Sequence, residues 1–238
     1  MNPVRLKLTQ KLFDSGGGFE VTFTTVVVKV QNLAYTKNVV VRYTPDNVHW
    51  TNKALAWEAP SFGNYDLFSG TINEQVEQFA IRYMVHGETF WDNNDGQNYN
   101  FQGNLTTIGE NVALYKATAR QGTQAGGGFT VTTSWLEGEV VVNNFGFSKN
   151  VGIVISVDGG ATWSAVDGNL SGTTTSDGKF IGSGQVWAFK TPELNLNPAS
   201  DKFIFAVFHH DFASGKDFWD NNFGQNYQVS KDEGTTIF

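Results

Sequence analysis

Glu88 to Phe101 reads ETFWDNNDGQNYNF, and Lys216 to Val229 reads KDFWDNNFGQNYQV. Aligned from Phe90 and Phe218, nine of ten positions agree through Tyr99 and Tyr227, the exception being Asp95 against Phe223. The shift is 218 − 90 = 128 residues. A phrase with a Trp, a Tyr and four amide side chains does not recur by accident. The chain is a repeat before it is anything else.

The repeat extends outward from that phrase. GGGFEVTFTTVVVKVQNLAYTKNVVVRYTPDNVHW (Gly16 to Trp50) returns as GGGFTVTTSWLEGEVVVNNFGFSKNVGIVISVDGGATW (Gly126 to Trp163). The offset is 126 − 16 = 110 at the start and 163 − 50 = 113 at the Trp, so copy two carries about 128 − 113 = 15 extra residues before Phe218. They include SGTTTSDGKFIGSG, whose Gly, Ser and Thr content predicts a surface loop. The seam near GNLTTIGEN sets the expected domains at residues 1–107 and 108–238.

Within each copy the period is two. Val4, Leu6 and Leu8 alternate with Arg5, Lys7 and Thr9; Phe79, Ile81 and Tyr83 alternate with Ala80, Arg82 and Met84; Phe203, Phe205 and Val207 follow suit. Turn clusters DSGGG, TPDNVHW, VDGGATW and HGE punctuate these runs. No window of about twelve residues has helical periodicity. The class is all-β, each half an antiparallel β-sandwich.

Composition excludes several functions. Formal net charge is −7 with no Lys or Arg run, which argues against nucleic-acid binding. No apolar run approaches the ~18 residues of a membrane span, so no membrane insertion is expected. Cysteine is absent, and the N-terminus MNPVRLKLTQKLFDSGGG has no apolar signal block. The expected setting is cytoplasmic, with non-classical secretion open.

Catalysis finds no support. There is no G-x-S-x-G elbow and no thiol nucleophile. Each copy of the phrase repeats one acid, Asp92 or Asp220, whereas a glycosidase needs two facing one cleft. His209 and His210 are adjacent on an expected strand and so face opposite sides, which disfavours a metal site. DNNDG resembles a calcium loop, but Asp95 becomes Phe223 and the closing acid is missing. The expectation is no enzyme, no metal and no cofactor.

What the copies share is Trp plus amides. A sugar ring has a flat C–H face and a fringe of hydroxyls, so it needs an aromatic plane and fixed amides. One stack burying ~100 Å² is worth ~2.5 kcal/mol at ~25 cal/mol per Å². Trp91 and Trp219 are expected outward because Phe90 and Phe218 take the opposite face. Asp92, Asn94, Asp220 and Asn222 are preferred as turn formers rather than sugar contacts.

The segments VQNLAYTKNVVVRYTPDNVHW and FAIRYMVHGETFWDNNDGQNY resemble carbohydrate-binding module family 21, the starch- and glycogen-binding domains of fungal glucoamylases and of glycogen-targeting subunits of protein phosphatase 1. The resemblance implies two immunoglobulin-like sandwiches without catalytic activity. Its principal sugar site would fall on Lys37, Trp50, Trp91, Asn93 and Asn98, and in copy two on Lys149, Trp163, Trp219, Asn221 and Asn226. A third aromatic used by some members falls on Ala80 and Ile204. A second site would fall on Tyr35, Trp57, Tyr65 and Asp66, of which copy two keeps only Phe147. The expectation is a bivalent, lectin-like protein for an oligo- or polysaccharide, an α-glucan first, with fungal cytoplasmic lectins as the model. The alternative is a scaffold that brings a partner enzyme such as a phosphatase to glycogen; a protein partner is compatible with either.

Overall fold

The computed structural model describes residues 2–14, 21–61, 63–101, 106–126, 129–144, 146, 148–178, 181, 183–195 and 201–237. Residues 15–20, which hold most of the DSGGG cluster expected to turn, and Phe147 lie outside them. The chain divides into two units, Met1–Gly109 with Ile181–Gly184, and Glu110–Phe180 with Gln185–Phe238. Each is an antiparallel β-sandwich.

The first unit holds β1 (Val4–Asp14), β2 (Val21–Gln31), β3 (Lys37–Thr44), β4 (Thr51–Ala54) and β5 (Ala56–Ser61). It continues with β6 (Tyr65–Ile72), β7 (Gln78–Val85), β8 (Glu88–Asp92), β9 (Tyr99–Asn100) and β10 (Thr106–Ile108). One sheet has the order β10-β1-β2-β6-β5 and the other β4-β3-β7-β8, with β9 added beside β7.

The alternation seen in sequence fixes which side faces in. Val39, Val41 and Tyr43 of β3 and Phe79, Ile81 and Tyr83 of β7 are buried and pack on Val26, Val28 and Val30 of β2. Each buried aliphatic side chain there contributes about 1.5–3 kcal/mol relative to exposure. The Tyr83 hydroxyl crosses between the sheets and donates to the Gln31 carbonyl at 2.8 Å. His86 and Gly87 close the β7–β8 hairpin with φ of 54° and 80°, the left-handed pair of a type I′ two-residue hairpin.

The second unit repeats the plan. Its strands are β11 (Val112–Gly126), β12 (Phe129–Val142), β13 (Lys149–Ser156), β14 (Ser164–Asp167), β15 (Asn169–Gly172) and β16 (Gln185–Lys190). After them come β17 (Leu194–Asn195), β18 (Lys202–Asp211), β19 (Lys216–Asp220), β20 (Tyr227–Ser230) and β21 (Thr236–Ile237). The sheets run β15-β16-β12-β11-β21 and β14-β13-β18-β19, with β17 beside β12 and β20 beside β18.

The Gly, Ser and Thr stretch of the insertion is less of a loop than its composition predicts. It begins in β15, and Thr175 and Ile181 are buried. The buried carboxylate of Glu139 on β12 accepts the Ser176 backbone N–H at 2.8 Å and its hydroxyl at 3.0 Å. A carboxylate so buried needs donors, and the segment folds back to supply them.

Both units share a defect and its repair. β1 is bulged between Leu6 and Leu8, β11 between Leu114 and Lys116. Among the described residues, outer neighbours reach only Leu8–Gln10 of β1 and Ala117–Thr118 of β11. The Leu6 N–H is taken by the Asp92 carboxylate at 2.5 Å, and the Leu114 N–H by Asp220 at 2.8 Å. The single acid of the repeated phrase staples one sheet of each sandwich to the other.

Candidate functional site

The phrase itself forms a tight turn between β8 and β9, and between β19 and β20. Asn94, Asp95, Gly96 and Asn98 all have positive φ, as do Asn222, Phe223, Gly224 and Asn226. Asn tolerates this left-handed region better than most residues and Gly adopts it freely, which accounts for the N-N-x-G-x-N spelling. The Asn98 N–H donates to the Asn93 carbonyl at 2.8 Å, and Asn226 to Asn221 at 2.8 Å. Asn93 Oδ1 accepts the Gly96 N–H at 3.0 Å, and Asn221 Oδ1 accepts that of Gly224 at 2.8 Å. Asn94 and Asn222 bond across the turn to the carbonyls of Asn98 and Asn226.

Asp92, Asn94, Asp220 and Asn222 therefore build the turn, as the sequence suggests. The Tyr99 hydroxyl donates to Asp92, and the Tyr227 hydroxyl to Asp220, each at 2.8 Å. Burial pushes the Asp92 carboxyl up, opposed by hydrogen bonds from Leu6, Tyr99 and Asn94.

The turn aims the neighbouring Trp. Trp91 and Trp219 are 37% and 42% exposed, while Phe90 packs beside Tyr83 and Phe218 beside His209. Trp91, Trp50, Asn93 and Asn98 line one cleft of about 330 Å³ with Arg42 and Ala80. That volume lies at the small end of ligand pockets. Buried Ala80 leaves space where a larger side chain would fill it.

Trp50 is placed by its own turn. Asp46 accepts from the backbone N–H groups of Val48 and His49 and from the Thr44 hydroxyl. These bonds, with that of the His49 side chain foremost, hold its carboxyl well below the usual range. Asp158 does the same before Trp163, accepting the Thr162 N–H at 2.9 Å, the Thr162 hydroxyl at 2.6 Å and the Ser156 hydroxyl at 2.8 Å. Its carboxyl is held down at about 2, chiefly by Thr162. Trp163 is exposed, with its indole N–H on the Gly160 carbonyl at 3.2 Å.

The structure takes Lys37 and Lys149 out of the Trp sites. Trp50 follows the far end of β3, and seven residue steps at ~3.3 Å put Lys37 ~23 Å from that end. Its ammonium pairs with Asp66 and Asn32 instead. Lys149, likewise first on its strand, donates to Asn144 at 2.9 Å and Gln185 at 3.0 Å.

Of the expected second-site residues, Tyr35 and Trp57 are well exposed, and the Trp57 indole N–H donates to Asp66 at 3.3 Å. Tyr65 is not available: it is 3% exposed, with the Lys29 ammonium 5.3 Å from its ring centre. Asp66 is buried and engaged by Lys37 and Trp57. Lys37 thus belongs with Asn32, Trp57 and Asp66, not with Trp50.

Strand pairing also corrects the partner of Ala80. Arg82 lies opposite Trp91, and Phe208 opposite Trp219, so Ala80 corresponds to Ala206. Ile204 corresponds to Gln78, whose Oε1 accepts from the Asn98 amide at 3.4 Å. Sequence reasoning missed Arg42, Gln78 and Arg82. A polar residue on the solvent side of a strand was the available signal.

The model for the carbohydrate/starch-binding module (family 21) matches residues 20–102 and 126–230. Glucoamylase 1 of Rhizopus oryzae is 39% identical over 79 residues, covering 30% of this chain and 13% of the glucoamylase. Protein phosphatase 1 regulatory subunit 3C of Bos taurus is 34% identical over 98 residues, covering 40% of this chain and 28% of that subunit. The chain thus spans only 13% and 28% of the length of these relatives. They come from a fungus and an animal, so they do not favour a fungal source.

Among solved structures, the starch-binding domain of Rhizopus oryzae glucoamylase, in complex with β-cyclodextrin and maltoheptaose, aligns at 27% identity and a TM-score of 0.33. That alignment covers 42% of this chain and 92% of that domain. The carbohydrate-binding module of the muscle glycogen-targeting subunit of protein phosphatase-1 aligns at 21% identity and a TM-score of 0.30, covering 49% and 77%. With two segments matched, each ending in the Trp and amide turn, the chain belongs to the carbohydrate/starch-binding module family 21.

Proposed function

We propose that this is a non-catalytic, bivalent, lectin-like protein whose two modules bind an α-glucan of the starch or glycogen kind. The observation that carries the reading is the cleft of Trp50, Trp91, Asn93 and Asn98, whose residue types recur in copy two as Trp163, Trp219, Asn221 and Asn226. Two tryptophans supply apolar faces, and the amides supply a donor and an acceptor to each hydroxyl pair. Two stacks of ~2.5 kcal/mol each, less the cost of association, give a site of order millimolar to micromolar.

Kinship to proteins named for starch binding and glycogen targeting supports an α-glucan. The test is affinity electrophoresis through gels containing glycogen or amylose, beside a glycan array. Retardation by α-glucans that is lost in the Trp91→Ala, Trp219→Ala double variant is expected. Array binding confined to other glycans would overturn the α-glucan assignment. Release of reducing ends in proportion to purified protein would overturn the non-catalytic reading.

The second reading is a scaffold that holds a partner enzyme on glycogen, favoured by likeness to phosphatase regulatory subunits. Co-sedimentation with glycogen of a phosphatase catalytic subunit, only when this chain is present, would decide for it.

A further inference from the structure

The two copies differ in what lies behind their tryptophans. Arg42 on β3 has its guanidinium carbon 5.6 Å from the ring centre of Trp50, and Arg82 on β7 has its own 5.8 Å from that of Trp91. Arg42 sits directly across from Ala80 on the outer face of the sheet, and Arg82 across from Trp91. Strand register puts Val154 in the place of Arg42 and Phe208 in the place of Arg82. Trp219 there packs on Phe208, with ring centres 5.9 Å apart.

Among the described residues no carboxylate answers the two arginines. Neither makes an ion pair among those residues, and Arg82 Nε is shut from solvent with no acceptor. Asp46, the acid in the turn before Trp50, is occupied by Val48, His49 and Thr44. Two uncompensated cations therefore stand beside a sugar-sized cleft on a protein whose net charge is −7. Guanidinium groups recognise phosphate through paired, charge-assisted hydrogen bonds, and two of them match a dianion.

We infer that the first copy's cleft takes a glucan unit carrying a phosphate monoester, while the second copy's apolar counterpart takes neutral glucan. The inference rests on the proposed glucan-binding reading and sharpens it. Arg42 contacts the ester, and Arg82 orients Trp91 and adds charge from behind.

The test uses the full chain with Trp219→Ala, which silences the second copy. Its binding to phosphorylated maltoheptaose and to the same sugar after phosphatase treatment is measured by calorimetry. A preference for the ester of roughly five- to tenfold at low ionic strength is expected, shrinking as salt rises. Arg42→Gln, at an exposed position, brings the ratio toward one, and Arg82→Gln lowers it in part. The converse chain, with Trp91→Ala, shows no preference.

Equal affinity for the two sugars, or a preference untouched by Arg42→Gln, overturns the inference and leaves the glucan reading standing. Loss of binding to both sugars in a chain with a normal melting transition overturns both. Binding of the phosphorylated sugar alone upholds the inference and narrows the glucan reading to phosphorylated polymer.

Discussion

Asp220 Oδ2 accepts the Tyr227 hydroxyl at 2.8 Å and, at the same distance, the backbone N–H of Leu114 on the opposite sheet. One carboxylate thus satisfies a buried hydroxyl and a buried amide on the side of β11 that β21, paired only with Ala117 and Thr118, does not reach. Asp220→Ala removes that shared acceptor from both, so it should destabilise the second unit by ~3 kcal/mol. Asp92→Ala should do the same to the first. Trp219→Ala, at an exposed platform, should cost under ~1 kcal/mol. Urea unfolding measures all three. Equal stability of Asp220→Ala and wild type would show that the staple does not hold the sandwich.

Lys37 is the corresponding test in the first unit. Its side chain and that of Asp66 are 7% and 8% exposed, and removing one partner strands the other charge. Lys37→Ala should destabilise the first unit by ~3–5 kcal/mol. At temperatures where it remains folded, the cleft of Trp50 and Trp91 should bind glucan as before, because the ammonium does not line it. A selective loss of cleft affinity without loss of stability would return Lys37 to the Trp site.

These two cases show what the sequence makes legible. Alternation puts Phe90 and Trp91 on opposite faces, and the expected outward member, Trp91, is the one the structure leaves 37% exposed while Phe90 packs beside Tyr83. The Asn residues at positive φ are likewise readable as turn formers. Lys37 misleads because its likeness to the family motif says nothing of strand direction, which carries it to the end away from Trp50. Ala80 and Ile204 mislead for another reason. The β18–β19 connection, Phe212–Gly215, is four residues where the β7–β8 connection is two, so the offset changes from 126 to 128 inside the repeat. Register across a strand pair is set by hydrogen bonding, which a linear alignment does not carry. Arg42 over Trp50 and Arg82 over Trp91 depend on that same cross-strand geometry.

The turn before Trp163 gives a pH prediction. Hydrogen bonds hold the Asp158 carboxyl at about 2, below its ordinary value near 3.8. A depressed carboxylate contributes stability that is fully present above the unfolded value and is lost as pH falls through the folded one. Wild type should therefore lose stability between about pH 4 and pH 2. Asp158→Asn should show a shallower loss across that window, with weaker glucan binding at neutral pH because Trp163 is less firmly aimed. The measurement is urea unfolding at a series of pH values. Parallel curves for the two proteins would deny the turn its role.

Why the phrase is written twice is itself testable. If Trp91 and Trp219 each serve a weak site, a multivalent glycan should hold the chain by ~10²-fold more than one module alone, provided both sites engage. Trp91→Ala and Trp219→Ala should each drop binding to polymeric glucan by about that factor while leaving the affinity for a short maltooligosaccharide within about twofold per remaining site. The double variant should bind neither. Melting transitions must accompany the assay, since a core Trp would cost ~3–5 kcal/mol on truncation and a surface platform far less. Trp91 and Trp219 are more than a third exposed, so both single variants should stay folded. If they stay folded and bind polymer as well as wild type, the tryptophans are not the binding platforms. If polymer binding falls only in step with loss of one site, twofold and no more, the modules act separately and the repeat gives valency without avidity.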